Sequence, residues 1–144
     1  MRSLNLISFL TIGVCLTVTT LSSSSCSNKL YFDTSEVVPA ARGYVTMSKD
    51  NNHNYNIEVT ISNLAEVERL QGGKKTYVVW MSSDGSDPKN LGQITSDAKR
   101  FSKKLSASFQ SVSATKPTRV FVTAEEDGTV KYPGNFEVLT TRTI

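Results

Sequence analysis

His53 is the only histidine in the sequence, and it limits the chemistry that the chain can perform. A Ser-His-Asp triad would have to include it, and a histidine-based metal site would contain a single imidazole. His53 lies at residues 50–54 among asparagines and an aspartate, which favour turns because their side chains bond to the nearby backbone. We therefore interpret His53 as a turn residue and predict no catalytic residue, no cofactor and no enzymatic activity.

Two groups of acidic residues could bind a cation or act in hydrolysis. Asp84 and Asp87 lie in a polar loop at residues 83–89 and could offer oxygens to Ca²⁺. Their spacing does not match an EF-hand loop, and its bidentate glutamate is missing. Residues 125–127 are Glu, Glu and Asp and could suggest the carboxylate pair of a glycoside hydrolase, but no cleft is evident around them. We interpret the two groups as a turn and a solvated strand end, and we predict no metal site.

Trp80 is the sharpest candidate for a contact with another molecule. It lies in an apolar run at residues 76–82, and the alternation of a strand puts Tyr77, Val79 and Met81 on the face opposite to Trp80. An exposed tryptophan would contact a sugar or a protein, whereas a buried one would fill the core of a sandwich. We favour the buried alternative, and we keep Trp80, together with Asp84 and Asp87, as a candidate contact surface.

Cys26 follows a segment that is typical of an export signal. Arg2 is the only charged residue before Lys29, and residues 6–21 form an uncharged, mostly apolar run of 16 residues. A membrane-spanning helix needs about 20 residues, so this run fits the core of a signal peptide better. Four serines precede Cys26. Residues 1–25 are therefore predicted to be a signal peptide.

The serines and the cysteine after the apolar run resemble a bacterial lipoprotein signal. The resemblance implies cleavage before Cys26 and attachment of lipid to that residue, although Ser23 occupies the position where the pattern usually has leucine. Cys15 would be removed with the signal, which leaves Cys26 as the only mature cysteine and excludes a disulfide framework. A blue-copper site is excluded because it needs two histidines beside its cysteine and the sequence has only His53. A secretory signal cut within the serines, or an uncleaved anchor, are the alternatives.

The remaining residues predict one all-β domain. The chain of 144 residues has a single-domain length, and its formal charge of +3 is scattered, so nucleic acid is not an expected partner. We predict a tether at residues 26–40 and an antiparallel, immunoglobulin-like β-sandwich at residues 41–144. Seven strands are expected at residues 42–48, 55–64, 76–82, 91–95, 100–109, 118–125 and 136–141. A helix of about two turns is expected within residues 63–73, and Asp127-Gly128 indicates a hairpin turn.

Several short motifs agree in order with one known family. The motifs are Asn63-Leu64, Tyr77 with Trp80, Asn90-Leu91-Gly92, Val122-Thr123-Ala124-Glu125 and Tyr132-Pro133-Gly134. Together they resemble the extracytoplasmic domain of the anti-sigma-K factor family over residues 41–141. The resemblance implies a β-sandwich outside the membrane. In that family a separate cytoplasmic domain holds the sigma factor, and the sequence predicts no such domain here.

These patterns together predict a membrane-tethered lipoprotein of the bacterial cell envelope. Its domain would be a non-enzymatic interaction or sensing module, with the membrane as one partner through the N-terminal lipid and an envelope protein as another. The alternative is a soluble exported module that binds a ligand or glycan through the strand around Trp80.

Overall fold

The computed structural model describes residues 28–94 and 106–144, and all regular elements in these ranges are strands except for one 3₁₀ turn. The strands are β1 (Lys29–Tyr31), β2 (Arg42–Lys49), β3 (Tyr55–Ser62), β4 (Thr76–Ser82), β5 (Lys89–Ile94), β6 (Ser106–Ser113), β7 (Arg119–Glu125) and β8 (Glu137–Thr140). The 3₁₀ turn spans Val67–Arg69. The predicted all-β class is confirmed, but the described residues contain eight strands and not the seven expected, because β1 lies in the segment predicted as a tether.

The strands form two antiparallel sheets of four strands each. The first sheet has the order β1-β2-β3-β6, and the second has the order β5-β4-β7-β8. Inward-facing apolar side chains of both sheets pack into one cluster, which is consistent with a β-sandwich. Each pair of neighbouring strands in both sheets is antiparallel, as the sequence predicted.

The alternation of β3 decides which of its faces enters the core. Ile57, Val59 and Ile61 are buried, whereas Asn56 and Glu58, which point to the other face, are exposed. This is the expected pattern for an antiparallel strand with one wet face. Burying each of these aliphatic side chains contributes about 1.5–3 kcal/mol to folding. The predicted face of this strand is confirmed.

Strand β4 is buried on both of its faces. It lies between β5 and β7 in the second sheet, and its five central residues are all buried. Tyr77, Val79 and Met81 belong to the cluster between the sheets, whereas Val78 and Trp80 belong to a second cluster on the opposite face. The prediction that this strand lies in the interior of a sheet is confirmed.

The predicted two-turn helix is wrong. Residues 63–73 contain only the 3₁₀ turn Val67–Arg69, and the residues on either side of it are extended. Asn63, expected to cap a helix, has φ 56°, which is left-handed, whereas an N-cap residue lies in the β region. Leu64 and Val67 are nevertheless buried. Their apolar spacing therefore reflects docking of an irregular crossover against the core and not a helical face.

The segment predicted as a tether forms part of the fold where the structure describes it. β1 pairs with β2, Phe32 is buried, and the backbone N–H of Asp33 donates to the carbonyl of Thr140. Phe32 packs against Gly43, where a Cβ atom would lie 3.1 Å from the phenylalanine ring. Lys29–Tyr31 and the two residues after them thus belong to the sandwich, although they lie in the segment predicted as a tether. The absence of a period in this short segment hid its contacts with residues far along the chain.

Two local predictions near the C-terminus have different outcomes. Asp127 and Gly128 do not form a hairpin turn, because residues 126–136 separate β7 from β8 and Gly128 does not have a positive φ. β6 is a strand, which confirms the choice of strand over helix for residues 106–109. The predicted strand began at residue 100, and residues 95–105 lie outside the described residues.

Tyr77 is expected to make the stability of the fold sensitive to alkaline pH. Its hydroxyl donates to the carbonyl of Ala65 at 2.9 Å, and burial, with a smaller contribution from Glu68, raises the pKa of Tyr77 to about 12. In the unfolded chain the same group ionises near pH 10, or about two units lower. Between these values the unfolded state loses a proton that the folded state keeps, so the free energy of unfolding decreases as pH rises.

Chemical denaturation at several pH values between 9 and about 12 tests this expectation. The Tyr77→Phe variant should show a shallower decrease than the parent, whereas Tyr132→Phe, at a residue that is 59% exposed, should follow the parent. Equal slopes for the parent and Tyr77→Phe would contradict the assignment.

A candidate binding groove above a buried tryptophan

An open groove of about 760 Å³ runs along β5 on the face of the second sheet that points away from the first sheet. One wall is the end of the loop before β5 together with the strand itself, and the other is the connection between β7 and β8. The lining residues are Asp87, Pro88, Lys89, Asn90, Leu91, Gly92, Gly128, Thr129, Val130, Lys131 and Tyr132. The groove therefore adjoins the polar loop that the sequence indicated as a place of contact.

Asn90 fixes the distance between the two walls. Its Nδ2 atom donates to the carbonyl of Gly128 at 3.0 Å and to that of Val130 at 2.9 Å. Asp127 shapes the second wall by accepting hydrogen bonds from the backbone and hydroxyl of Thr129. These bonds hold the pKa of Asp127 below its ordinary value, the backbone bond being the larger cause. The groove is therefore bounded by backbone that side chains hold in place.

Trp80 lies beneath this wall and has no exposed surface. Its ring stacks on Phe121 with centroids 6.3 Å apart and an angle of 14° between the planes. The Arg119 guanidinium lies 4.6 Å from the centroid of the Phe121 ring, and Val130 packs against the pair. Trp80 is therefore a buried core residue, which is the alternative that the sequence favoured, and it is not a contact residue, because the connection at residues 126–136 covers this face of the sheet. Trp80 fills a small outer core and not the space between the sheets.

A chain of buried hydrogen bonds ties that connection to β4. Trp80 Nε1 donates to Thr123 Oγ1 at 2.8 Å, and the same hydroxyl donates to Glu125 Oε1 at 2.5 Å. Glu125 Oε1 also accepts from the backbone N–H of Gly134 at 2.8 Å. The reading of Glu125 as a solvated strand end is wrong, since its side chain is 5% exposed. The buried carboxylate instead accepts hydrogen bonds from β7 and from the connection between β7 and β8.

The exposed chemistry of the groove comes from a different aromatic residue. Tyr132 is 59% exposed, and Lys131 Nζ lies 5.3 Å from the centroid of its ring. Asp87 and Lys89 are exposed on the opposite wall, whereas Asp84 is exposed in the adjoining loop and does not line the groove. In the sequence, Tyr132 stood out only as part of the Tyr132-Pro133-Gly134 motif. Its position beside Pro133 was a usable signal, because turns lie on the surface and carry contacts.

The possible metal ligands are dispersed in the part of the chain that the structure describes. Within residues 28–94 and 106–144, no three His, Cys, Asp or Glu side chains are grouped so that they could hold a metal ion. His53 lies in a turn, as predicted, with φ 67°. Asp50 accepts hydrogen bonds from the backbone of Asn52 and Asn54, and the bond from the Asn54 backbone is the main cause that lowers the pKa of Asp50. That carboxylate is thus used to build the turn.

A second concave surface of about 420 Å³ lies on the outer face of the first sheet. Its centre is a polar row across three strands, in which Glu58 accepts weak hydrogen bonds of 3.4 Å from Thr46 and from Gln110. Solvated polar rows of this kind are ordinary on the wet face of an antiparallel sheet. The groove beside β5 remains the better candidate, because its walls are fixed and it presents an exposed aromatic ring.

The chain matches no known protein family, no curated protein and no solved structure. In the part of the chain that the structure describes, no helix has the length and hydropathy needed to cross a membrane.

Proposed function

We propose that the protein is a membrane-tethered lipoprotein of the bacterial cell envelope, whose β-sandwich is a non-enzymatic interaction or sensing module. The observation that carries this proposal is the placement of Cys26. It follows the apolar run and the serines directly, and it precedes the first residue of β1 by three positions. A lipid on this residue would anchor the domain, because each buried CH₂ group adds about 0.8 kcal/mol of membrane binding and several chains hold firmly.

The short separation along the sequence between Cys26 and β1 limits how far the domain could lie from the membrane. Three residues span at most about 10 Å even when fully extended. The lipid would therefore keep the sandwich against the membrane, and not at the end of a long flexible linker. The contacts of Phe32 with Gly43 of β2 and with Thr141, which follows β8, support this arrangement, because they fix the chain six residues after the anchor.

An immunoglobulin-like topology is part of the proposal. In the first sheet, β2, β3 and β6 lie in the order of the immunoglobulin strands A, B and E. In the second sheet, the order β5-β4-β7-β8 corresponds to strands C′, C, F and G. One feature departs from antibody domains, where the tryptophan on strand C packs in the core between the sheets. Trp80 lies on the corresponding strand but points to the opposite face. The two-sheet architecture also fits the resemblance to the extracytoplasmic domain of the anti-sigma-K factor family.

The groove beside β5 supports an interaction role. Tyr132 provides a large amphipathic surface, and Asp87, Lys89 and Lys131 place charges of both signs around it. Aromatic residues are enriched where proteins bind each other, whereas charged groups at the rim set orientation and specificity. We propose an envelope protein as the partner, with a glycan as the alternative ligand of the same groove.

The anchoring half of the proposal is tested by replacing Cys26. Mass spectrometry of the protein from a bacterial host should find lipid on an N-terminal Cys26, and Cys26→Ala should move the protein out of the membrane fraction. Cys15→Ala is the matched control and should leave both results unchanged. An unlipidated mature N-terminus, or an unchanged membrane fraction for Cys26→Ala, would refute the anchor.

The groove is tested by comparing two exposed tyrosines. Capture of envelope proteins and a glycan array, both with the full chain, should give binding that Tyr132→Ala weakens about tenfold, equivalent to 1.4 kcal/mol. Tyr31→Ala, at a residue that is 65% exposed on the other sheet, is the control and should bind as the parent does. Hits on the array alone would favour the glycan alternative, and equal effects of the two variants would exclude the groove.

A further inference from the structure

Three of the four sheet edges carry features that discourage pairing with another strand. β5 follows Pro88, starts with Lys89 and has a register shift against β4. β8 has only four residues and a register shift against β7, and its continuation at Thr141 is bridged to Phe32. β1 has only three residues and starts with a lysine. Short strands, bulges, lysine and proline are the usual means of protecting an edge.

β6 has none of these features. It spans eight residues, contains no charged residue and no proline, and pairs with β3 over its whole length without a register shift. Among the described residues, no strand pairs with its other side. About half of the backbone N–H and C=O groups of an edge strand point away from its neighbour and are free to bind another strand. β6 is therefore the edge of this fold that is best suited to strand addition.

We propose that β6 is a self-association edge, on which the β6 strand of a second copy of this chain pairs in the antiparallel direction. Two first sheets would then join into one continuous sheet of eight strands. The contact is isologous, because the same strand is used by both copies, and a twofold axis closes it as a dimer. This inference does not depend on the lipid anchor or on the groove.

The side-chain sequence of β6 fits a second copy of itself. The even-numbered residues of β6 are exposed on the outer face, and the odd-numbered residues point inward. In a continuous sheet, outward-facing residues of one copy must lie opposite outward-facing residues of the other. A twofold axis must therefore pair even-numbered residues with even-numbered ones and odd with odd. An axis at Gln110 meets this condition. It pairs Gln110 with its own copy, Phe109 with Ser111, and Val112 with Ser108.

This register combines each large side chain with a small one. The bulky residues Phe109 and Val112 each face a serine, and the two Gln110 amides can bond to each other because an amide both donates and accepts. Val112 is 57% exposed in the single chain, so pairing would also cover apolar surface. The absence of charge on β6 removes the like-charge repulsion that would oppose pairing of identical strands.

Charged substitutions at Gln110, made in the full chain, test whether the twofold axis of the β6 pair passes through this residue. Native mass spectrometry should find the parent as a dimer. Gln110→Lys and Gln110→Glu, each alone, should associate about tenfold more weakly, because they place like charges directly opposite. An equal mixture of the two variants should restore a dimer that contains one copy of each. Circular dichroism should show that both variants keep the parent's strand content.

Cross-linking gives an independent measurement. Directly opposite residues of an antiparallel pair have Cα atoms about 4.5–5.5 Å apart, which is within the range of a disulfide. Gln110→Cys should therefore form a disulfide with its own copy under mild oxidation, as peptide mapping would show. Glu58→Cys, on the central strand β3, should not, and the parent controls for bonds through Cys15 or Cys26.

Three results would overturn the proposal. The first is a parent chain that stays monomeric, and the second is a dimer that both charged variants leave unchanged. The third is slow hydrogen exchange at all β6 amides in a monomer, because the edge would then be covered by the chain itself.

Discussion

Replacing Trp80 with alanine is expected to lower the free energy of unfolding by about 3–5 kcal/mol, the usual range for removing a fully buried aromatic ring. Trp80 has no exposed surface, and the cluster that it forms with Val78 and Phe121 is small. The surrounding side chains therefore have little freedom to fill the cavity. Domains of this size are stable by about 5–15 kcal/mol, so the loss would be a large fraction of the total.

The hydrogen bond of the indole adds to this effect. Its Nε1 atom donates to Thr123 Oγ1, which in turn donates to Glu125. Trp80→Phe would keep an aromatic ring above Phe121 but lose the donor and part of the ring volume, and it should cost less than Trp80→Ala. The removal of the ring should also loosen residues 126–136, because Val130 packs against it.

Urea denaturation followed by circular dichroism measures both variants without relying on tryptophan fluorescence. The matched control is Tyr132→Ala, an aromatic-to-alanine change at an exposed residue, which should alter stability by less than about 0.5 kcal/mol. Similar losses for Trp80→Ala and Tyr132→Ala would mean that the outer cluster contributes little to the fold.

Replacing Gly43 with alanine is expected to destabilise the protein by about 1–3 kcal/mol, which is typical of overpacking. A Cβ atom at this position would clash with the backbone carbonyl oxygen of Thr60 and lie 3.2 Å from the Cα atom of Ile61. Both atoms belong to the backbone of the paired strand β3, so they cannot move aside as a flexible side chain would. Phe32, 3.1 Å from the same point, would also be displaced.

The displacement of Phe32 gives this variant a local signature. The backbone N–H groups of Phe32 and Asp33 donate to Gly43 and Thr140. Hydrogen exchange at these two amides should accelerate in Gly43→Ala more than exchange at the amides of β4. Ser48→Ala, at an exposed residue of the same strand, should leave exchange and stability near those of the parent. Unchanged exchange in Gly43→Ala would show that the first strand docks independently of this glycine.

The strands were accessible to sequence reasoning because their signal is local. The alternation of β3 and the two-sided apolar run of β4 each follow from neighbouring residues, and both predictions agree with the structure. The predicted helix was wrong because its signal came from a contact with distant residues and not from local structure. Leu64 and Val67 are apolar because a crossover docks them on the core, and a period read from four or five residues cannot distinguish that from a helix.

The candidate site was only partly accessible. Asp87 was identified as a loop residue beside β4 and does line the groove, whereas Tyr132 was missed as a contact residue. The opposite wall of the groove comes from residues about 40 positions later, which Asn90 holds in place through its side-chain bonds. No local pattern indicates that pairing, because it depends on how the connection between β7 and β8 returns across the sheet.

The sequence by itself determined the all-β class, the inward face of β3 and the central position of β4, since strand periodicity and two-sided hydrophobicity are properties of short segments. It also showed that Trp80 lies on the face of β4 opposite to Tyr77. Only the tertiary structure decided that this face is closed. The connection at residues 126–136 covers Trp80, buries Glu125 and leaves Tyr132 as the exposed ring. Whether one or both faces of a strand are buried depends on which distant segments of the chain pack against it.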